Sequence, residues 1–176
     1  EIILSNFVQD DHIASVNVND SDFDKFIKIH NDFFWDVFNT NSLLLVNEKS
    51  YIQLALKNDN LVVPMSTNKS KEYVEYIKKC FDAGINRSML FYGPPGSGKS
   101  CMVKAICNDL NLRTLRLRAE DVSKIDNNRL FDVISFLKPD VVIVEDVDKS
   151  KLNAGTLELY AWLKSNVKLI MSTVNN

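Results

Sequence analysis

A chain of 176 residues, 45% hydrophobic and 25% charged, is long enough for one full globular domain with a smaller appendage. Its net charge of −2 supplies no bulk attraction for a nucleic-acid backbone, and no apolar run approaches the roughly 20 residues of a membrane helix. The opening residues, EIILSNFVQDD, lack the basic start of a signal peptide, so a soluble chain without a membrane segment is expected, and a first residue other than Met suggests a preceding piece.

In chain order, the first stretch with a helical period is SDFDKFIKIHNDFFWDVF, where Phe23, Phe26, Ile27, Phe34, Val37 and Phe38 recur at helix-compatible offsets and Ser21 is a candidate cap. Its aromatic cluster Phe33, Phe34 and Trp35 suits either the packing of a small core or a contact surface, and core packing is the commoner fate of large aromatics. SLLLVNEKSYIQLAL reads as two strands about the turn NEKS, and Pro64 with STNKS reads as a connector. Residues 1–68 are thus predicted to form a small N-terminal α+β unit of unassigned role. His12 and His30 have no partner at metal-ligand spacing and are read as ordinary histidines.

From about Lys69 the pattern changes to alternating helices and strands. KEYVEYIKKCF places Tyr73, Val74, Ile77, Cys80 and Phe81 at helical spacing, SMLFY is a short apolar strand, and CMVKAICNDL sets Val103, Ile106, Cys107 and Leu110 on one helical face. LRTLRLR reads as a strand, RLFDVISFL as a helix through Leu130, Phe131, Ile134 and Leu137, and DVVIV as a strand buried on both faces. TLELYAWLKS and VKLIMST complete the series as helix and strand. Such alternation predicts parallel pairing by right-handed crossovers, hence a three-layer α/β domain over 69–176. The three cysteines, Cys80, Cys101 and Cys107, form no C-x-x-C pair and are an odd set, as expected of reduced thiols in a cytoplasmic compartment.

Within this domain GPPGSGKS, from Gly93 to Ser100, matches G-x-x-x-x-G-K-[ST] and lies between a predicted strand and a predicted helix, as the P-loop mechanism requires. Glycines let the loop turn its N–H groups toward phosphate oxygens, and the helix N-terminus adds a favourable dipole. Lys99 is then expected to reach the β- and γ-phosphates and the Ser100 hydroxyl to ligate Mg²⁺. Hydrolysis also needs a carboxylate at the end of a neighbouring buried strand, and VVIVED delivers Glu145 and Asp146 there. Side chains alternate along an extended strand, so the two carboxylates are expected to face differently.

These residues resemble the AAA+ ATPases. The stretch MLFYGPPGSGKSCMVKAICNDLNLRTLRLRAEDV is similar to that family's first strand, P-loop, helix and second strand, and LIMSTVN resembles its sensor 1 strand, with Asn175 at the position of the water-orienting polar residue. The resemblance covers Lys69 to Asn176. It implies an ATP/ADP cradle of Gly93, Pro94, Pro95, Gly96, Ser97, Gly98, Lys99, Ser100 and Cys101, Mg²⁺ on Ser100 and Glu145, and a catalytic set of Asp146, Glu145, Asn175 and Lys99. Most of the family reads Asp-Glu at the strand end, whereas EDVD at 145–148 is similar to the Bcs1-like branch. That likeness implies a metal-side role for Glu145 and a water-polarising role for Asp146, which is one methylene shorter than the usual Glu. Asp148 is expected to cap the segment after it.

The short span from Asp146 to Asn175 is closer to the clamp-loader branch. The fifth strand, arginine finger and helical lid are expected beyond Asn176. The leading expectation is an ATPase working as a homo-oligomeric ring of six or seven subunits on a protein client. The second is a clamp-loader or helicase-loader switch in DNA replication, in which Arg113, Arg116 and Arg118 meet phosphate, although a solvated strand edge is the simpler reading of those arginines. The third is a nucleotide-gated binding module with little hydrolysis.

Overall fold

The computed structural model describes Trp35 and residues 42–48, 51–56, 67–149 and 154–175. The helix expected over 21–38 (Trp35 excepted), Phe33, Phe34, the two histidines and the connector at Pro64 lie outside the described residues.

The strand pair expected about NEKS is formed by β1 (Ser42–Glu48) and β2 (Tyr51–Leu56), antiparallel with Glu48 opposite Tyr51. Next come α1 (Asn68–Asp82), β3 (Arg87–Gly93), α2 (Lys99–Asp109) and β4 (Thr114–Arg118). A short α3 (Ala119–Val122) leads into α4 (Asn127–Leu137) and β5 (Val141–Glu145). A 3₁₀ turn (Val147–Lys149), α5 (Ala154–Asn166) and β6 (Leu169–Asn175) follow. The strands form one sheet in the order β2-β1-β4-β5-β6-β3, parallel except for β2.

Local chemistry accounts for the helix starts. Part of the expected connector STNKS is itself a helix start: the Thr67 hydroxyl accepts from the Ser70 N–H at 3.1 Å and the Ser70 hydroxyl accepts from the Thr67 N–H at 2.9 Å, a reciprocal capping box. Asp126 starts α4 by accepting from the Asn128 N–H at 2.8 Å. Val74, Ile77 and Cys80 on α1 and Val103, Ile106 and Cys107 on α2 are buried, so the predicted apolar stripes are the ones that meet the sheet.

Strand β5 is buried on both faces and separates two cores. Val141 and Ile143 pack with α1 and α2, whereas Val142 and Val144 pack with α4, α5 and Trp35. Helices therefore cover both faces of a mainly parallel sheet, a three-layer α/β architecture. Leu43 and Leu45 of β1 belong to the second core, and the Trp35 indole N–H donates to the Leu137 carbonyl at 2.9 Å. The sheet runs across the domain boundary expected at residue 68, because β1 pairs directly with β4 from Ser42↔Thr114 to Leu45↔Leu117. That pairing also makes β4 an interior strand, not the solvated edge expected for LRTLRLR. No helix among the described residues is long and apolar enough to cross a membrane.

Candidate nucleotide site

The loop from Gly93 to Gly98 joins the edge strand β3 to α2, and the chain then crosses β6 and β5 to reach β4. That crossing places the loop at the carboxyl ends of the parallel strands, where open α/β sheets bind ligands. Two glycines are required by the local geometry. At Gly93 a Cβ would stand 3.2 Å from the Ser97 hydroxyl oxygen, and Gly98, at φ +86°, is the N-cap of α2 in a left-handed conformation without a side-chain cap. The start of α2 is thus left to its own N–H groups and the positive end of its dipole.

Lys99 folds over the loop, its ammonium donating to the Gly93 and Pro94 carbonyls at 2.8 and 2.9 Å. Pro94, Pro95, Gly96, Ser97, Ser100 and Cys101 are exposed. The sequence-predicted cradle is therefore assembled as one open surface.

The strand register brings the remaining residues to the same edge. Gly93 lies opposite Asn175, and Val144 opposite Ser172. Glu145 ends β5 on the face shared by Val141 and Ile143, the face that α2 covers. There it forms an ion pair with Arg116, with side-chain exposures of 18% and 5%. Burying a charge is costly unless it is paired, so the pair explains how a carboxylate and a guanidinium tolerate this position. It also corrects, for Arg116, both the solvated strand edge expected of Arg113, Arg116 and Arg118 and the alternative in which they meet phosphate, because Arg116 points inward.

Asp146 departs from the expected alternation. Its φ of +54° puts it in the left-handed region that Asp visits more readily than most residues, and this turn, not strand pleating, separates its carboxylate from Glu145. One Asp146 oxygen accepts from the Asn175 amide at 3.2 Å and the other meets the Lys149 ammonium at 2.6 Å. The backbone N–H of Asp146 donates to the Thr173 hydroxyl at 3.1 Å. Asp148, expected as a cap, accepts the Asn175 N–H at 2.8 Å, a bond that holds its carboxyl below the usual carboxylate range. The neighbouring Asp146 in turn raises the Lys149 ammonium above its usual value.

The structure thus gathers Lys99, Asn175, Asp146 and Glu145 at one end of the sheet. Three participants escaped the sequence reading: Arg116, Thr173 and the tethering role of Asp148. For Arg116 the sequence held only a partial signal: a carboxylate ends the neighbouring strand, but its flanking Leu115 and Leu117 read as the dry face of a half-wet strand.

Among the described residues, no group of three or more His, Cys, Asp or Glu side chains could hold a metal by itself. One hydroxyl, Ser100, and one carboxylate, Glu145, instead fit a Mg²⁺ whose remaining ligands are phosphate oxygens and water, the usual habit of this ion. The glycine-shaped loop, the Lys99 ammonium and the start of α2 suit a polyphosphate.

Comparison with known proteins agrees with this geometry. Residues 89–172 match the family described as "ATPase family associated with various cellular activities (AAA)". This part of the chain, just under half of it, is thus similar to the AAA family. The match contains the P-loop, Glu145 and Asp146 and ends just before Asn175. Over 99 residues the chain is 32% identical to the replication factor C large subunit of Aeropyrum pernix, covering 51% of this chain and 21% of that one. Over 86 residues it is 34% identical to the mitochondrial chaperone BCS1 of Bos taurus, covering 47% and 20%. The chain thus spans about a fifth of the length of these curated relatives. The solved structure of C. elegans PCH-2 is similar at a TM-score of 0.49 and 20% identity, over 63% of this chain and 38% of that one.

Proposed function

We propose that this AAA domain binds and hydrolyses ATP, and that the full-length protein, as a ring of six or seven copies, uses the turnover to remodel or move a protein client. The observation that carries the hydrolytic reading is the 3.2 Å hydrogen bond from the Asn175 amide to Asp146, one strand away from the P-loop residue Gly93. A carboxylate and an amide held together next to the P-loop support a reading in which the first accepts a proton and the second orients water.

In this reading the Lys99 ammonium leaves its two carbonyl partners for phosphate oxygens, and the start of α2 holds the rest of the polyphosphate. Ser100 and Glu145 hold Mg²⁺, which when bound neutralises charge on the phosphate oxygens. Asp146, exposed enough to meet water, accepts the proton of the attacking water, and Asn175 orients that water. General-base assistance is worth about 10²- to 10⁴-fold. The Glu-Asp order and the similarity to a relative named a chaperone favour the Bcs1-like branch. The comparable similarity to a replication factor subunit supports a second reading, an ATP switch that loads partners onto DNA, although the inward-facing Arg116 takes one of the three arginines out of the strip that would have served it. Three cysteines, all free, suit a reducing, cytoplasmic compartment.

The test is steady-state ATP turnover of the full-length protein beside Lys99→Ala, Glu145→Gln and Asp146→Asn, with ATP affinity measured in parallel. We expect Asp146→Asn to lose at least 10²-fold in kcat and keep its affinity, and Glu145→Gln to need more Mg²⁺. Tight ATP binding with turnover no faster than Lys99→Ala would overturn hydrolysis in favour of a nucleotide-gated binding module. A DNA affinity that falls steeply with salt would favour the loader reading over the protein client.

A further inference from the structure

Backbone pairing between β5 and β6 runs only from Val141↔Leu169 to Val144↔Ser172. Beyond that point the left-handed Asp146 turns the chain away, and the 3₁₀ turn closes with the Lys149 N–H donating to the Asp146 carbonyl at 2.9 Å. Two strands that part at their ends normally leave their last N–H groups to water. Here two side chains continue the ladder in opposite directions. The Thr173 hydroxyl on β6 accepts the Asp146 N–H at 3.1 Å, and the Asp148 carboxylate in the turn accepts the Asn175 N–H at 2.8 Å.

In both bonds the donor is the backbone of a residue assigned to the chemistry, and the acceptor is a residue with no chemical role of its own. The second bond has the larger consequence. On its other side Asn175 lies opposite Gly93 in the β3–β6 register, so the Asp148 bond fixes it from the β5 side as well. From that backbone position the side-chain amide reaches Asp146 at 3.2 Å and the same Asp148 oxygen at 3.5 Å. A hydrogen bond to an ionised carboxylate is stronger than one to a neutral acceptor.

The geometry points to Asp148 as a positioning residue that tethers Asn175 and so aims its amide at Asp146. This role rests on the hydrolytic reading above. Asp148 touches neither nucleotide nor water in it, and acts through Asn175 alone. A displacement of about 1 Å at a reacting group can cost on the order of 10²-fold in rate, so loosening this one tether is expected to be felt in kcat and not in nucleotide binding.

The experiment uses the full-length protein with Asp148→Ala, Asp148→Asn, Asn175→Ala and the double variant Asp148→Ala/Asn175→Ala. Asp148→Ala should lower kcat by about 10-fold or more with the KM for ATP within about twofold of the parent. Asp148→Asn, whose side-chain oxygen still accepts the N–H, should recover most of that loss. The double variant should be no slower than Asn175→Ala, since residues acting as one unit are non-additive. Hydrogen exchange at the Asn175 amide gives a readout independent of turnover: its protection should fall in Asp148→Ala and persist in Asp148→Asn. Unchanged kcat in Asp148→Ala, multiplicative losses in the double variant, or unchanged Asn175 protection would each overturn the assignment. A parent protein no faster than Lys99→Ala, with the exchange pattern as expected, would overturn the hydrolytic reading and the role in turnover, and leave the tether standing.

Discussion

Glu145 and Asp146 are adjacent in sequence and belong to unlike regions of the molecule. Glu145 ends a strand beneath α2, mostly shielded from water and paired with the still more buried Arg116. Asp146 begins an exposed turn and shares its two oxygens between the Asn175 amide and the Lys149 ammonium. A carboxylate that helps hold a cation benefits from a fixed, desolvated seat, whereas one that takes a proton from water needs access to water. The contrast supports the proposed division of roles by environment, with no appeal to which residue comes first.

The largest way to break the contrast is on the buried side. Replacing Arg116 by Met leaves the Glu145 charge buried without its guanidinium, and removing one partner of such a pair costs about 3–5 kcal/mol. A fall of that size is expected in urea or thermal unfolding of Arg116→Met. Replacing both partners, as Arg116→Met/Glu145→Met, should recover most of the stability, because apolar residues of similar volume often substitute well for a buried pair. It should not recover turnover. If Arg116→Met unfolds like the parent, the pair is solvated and the environmental argument for Glu145 loses its footing.

Arg116 also marks the limit of what the sequence discloses. TLRLR alternates apolar and basic residues, the signature of a strand with one wet face. The pattern misleads because α2 covers the face that Arg116 shares with Ile143, while β1, some 70 positions earlier, pairs with β4 and makes it interior; no local period encodes either contact. The same pairing carries the sheet across the boundary expected at residue 68. By contrast, all eight helices and strands expected after Lys69 are formed, because each rests on a local pattern of apolar residues; all but the edge strand β3, whose Leu90 and Tyr92 stay exposed, bury at least part of that pattern. The P-loop was legible because glycine spacing and flanking elements encode its mechanism directly. The left-handed φ of Asp146 was not, since EDVD reads equally well as the continuation of a strand, and with it went the roles of Thr173 and Asp148.

A second prediction sharpens the contrast through pH. Cys107 of α2 is buried against β4, and burial pushes its thiol from the ordinary value of 9.0 up to about 11, against opposing contributions from Thr114 and Arg116. The folded state thus keeps a proton that the unfolded chain gives up first. The stability this contributes is complete below pH 9 and is lost as pH rises toward 11, a fall on the order of 2–3 kcal/mol. Urea midpoints measured from pH 8 to pH 10.5 should decline in the parent and decline less in Cys107→Ala. An equal decline in both would place the alkaline sensitivity elsewhere, for example at Tyr160, whose burial raises its phenol in the same sense.

The smallest effect on stability is expected on the exposed side, where breaking an ion pair changes little. Lys149→Ala should unfold at the same temperature as the parent. Its effect should appear in turnover, since the ammonium 2.6 Å from Asp146 occupies a carboxylate oxygen that the attacking water would otherwise reach. Removing it should raise kcat by a few-fold at neutral pH, with ATP affinity unchanged. A loss as deep as that of Asp146→Asn would instead make Lys149 part of the chemistry. An unchanged kcat would mean that Asp146 exchanges Lys149 for water before the rate-limiting step. Substitutions at the partners of the two neighbouring carboxylates, Arg116 and Lys149, would then separate a contact that builds the fold from one that restrains the base.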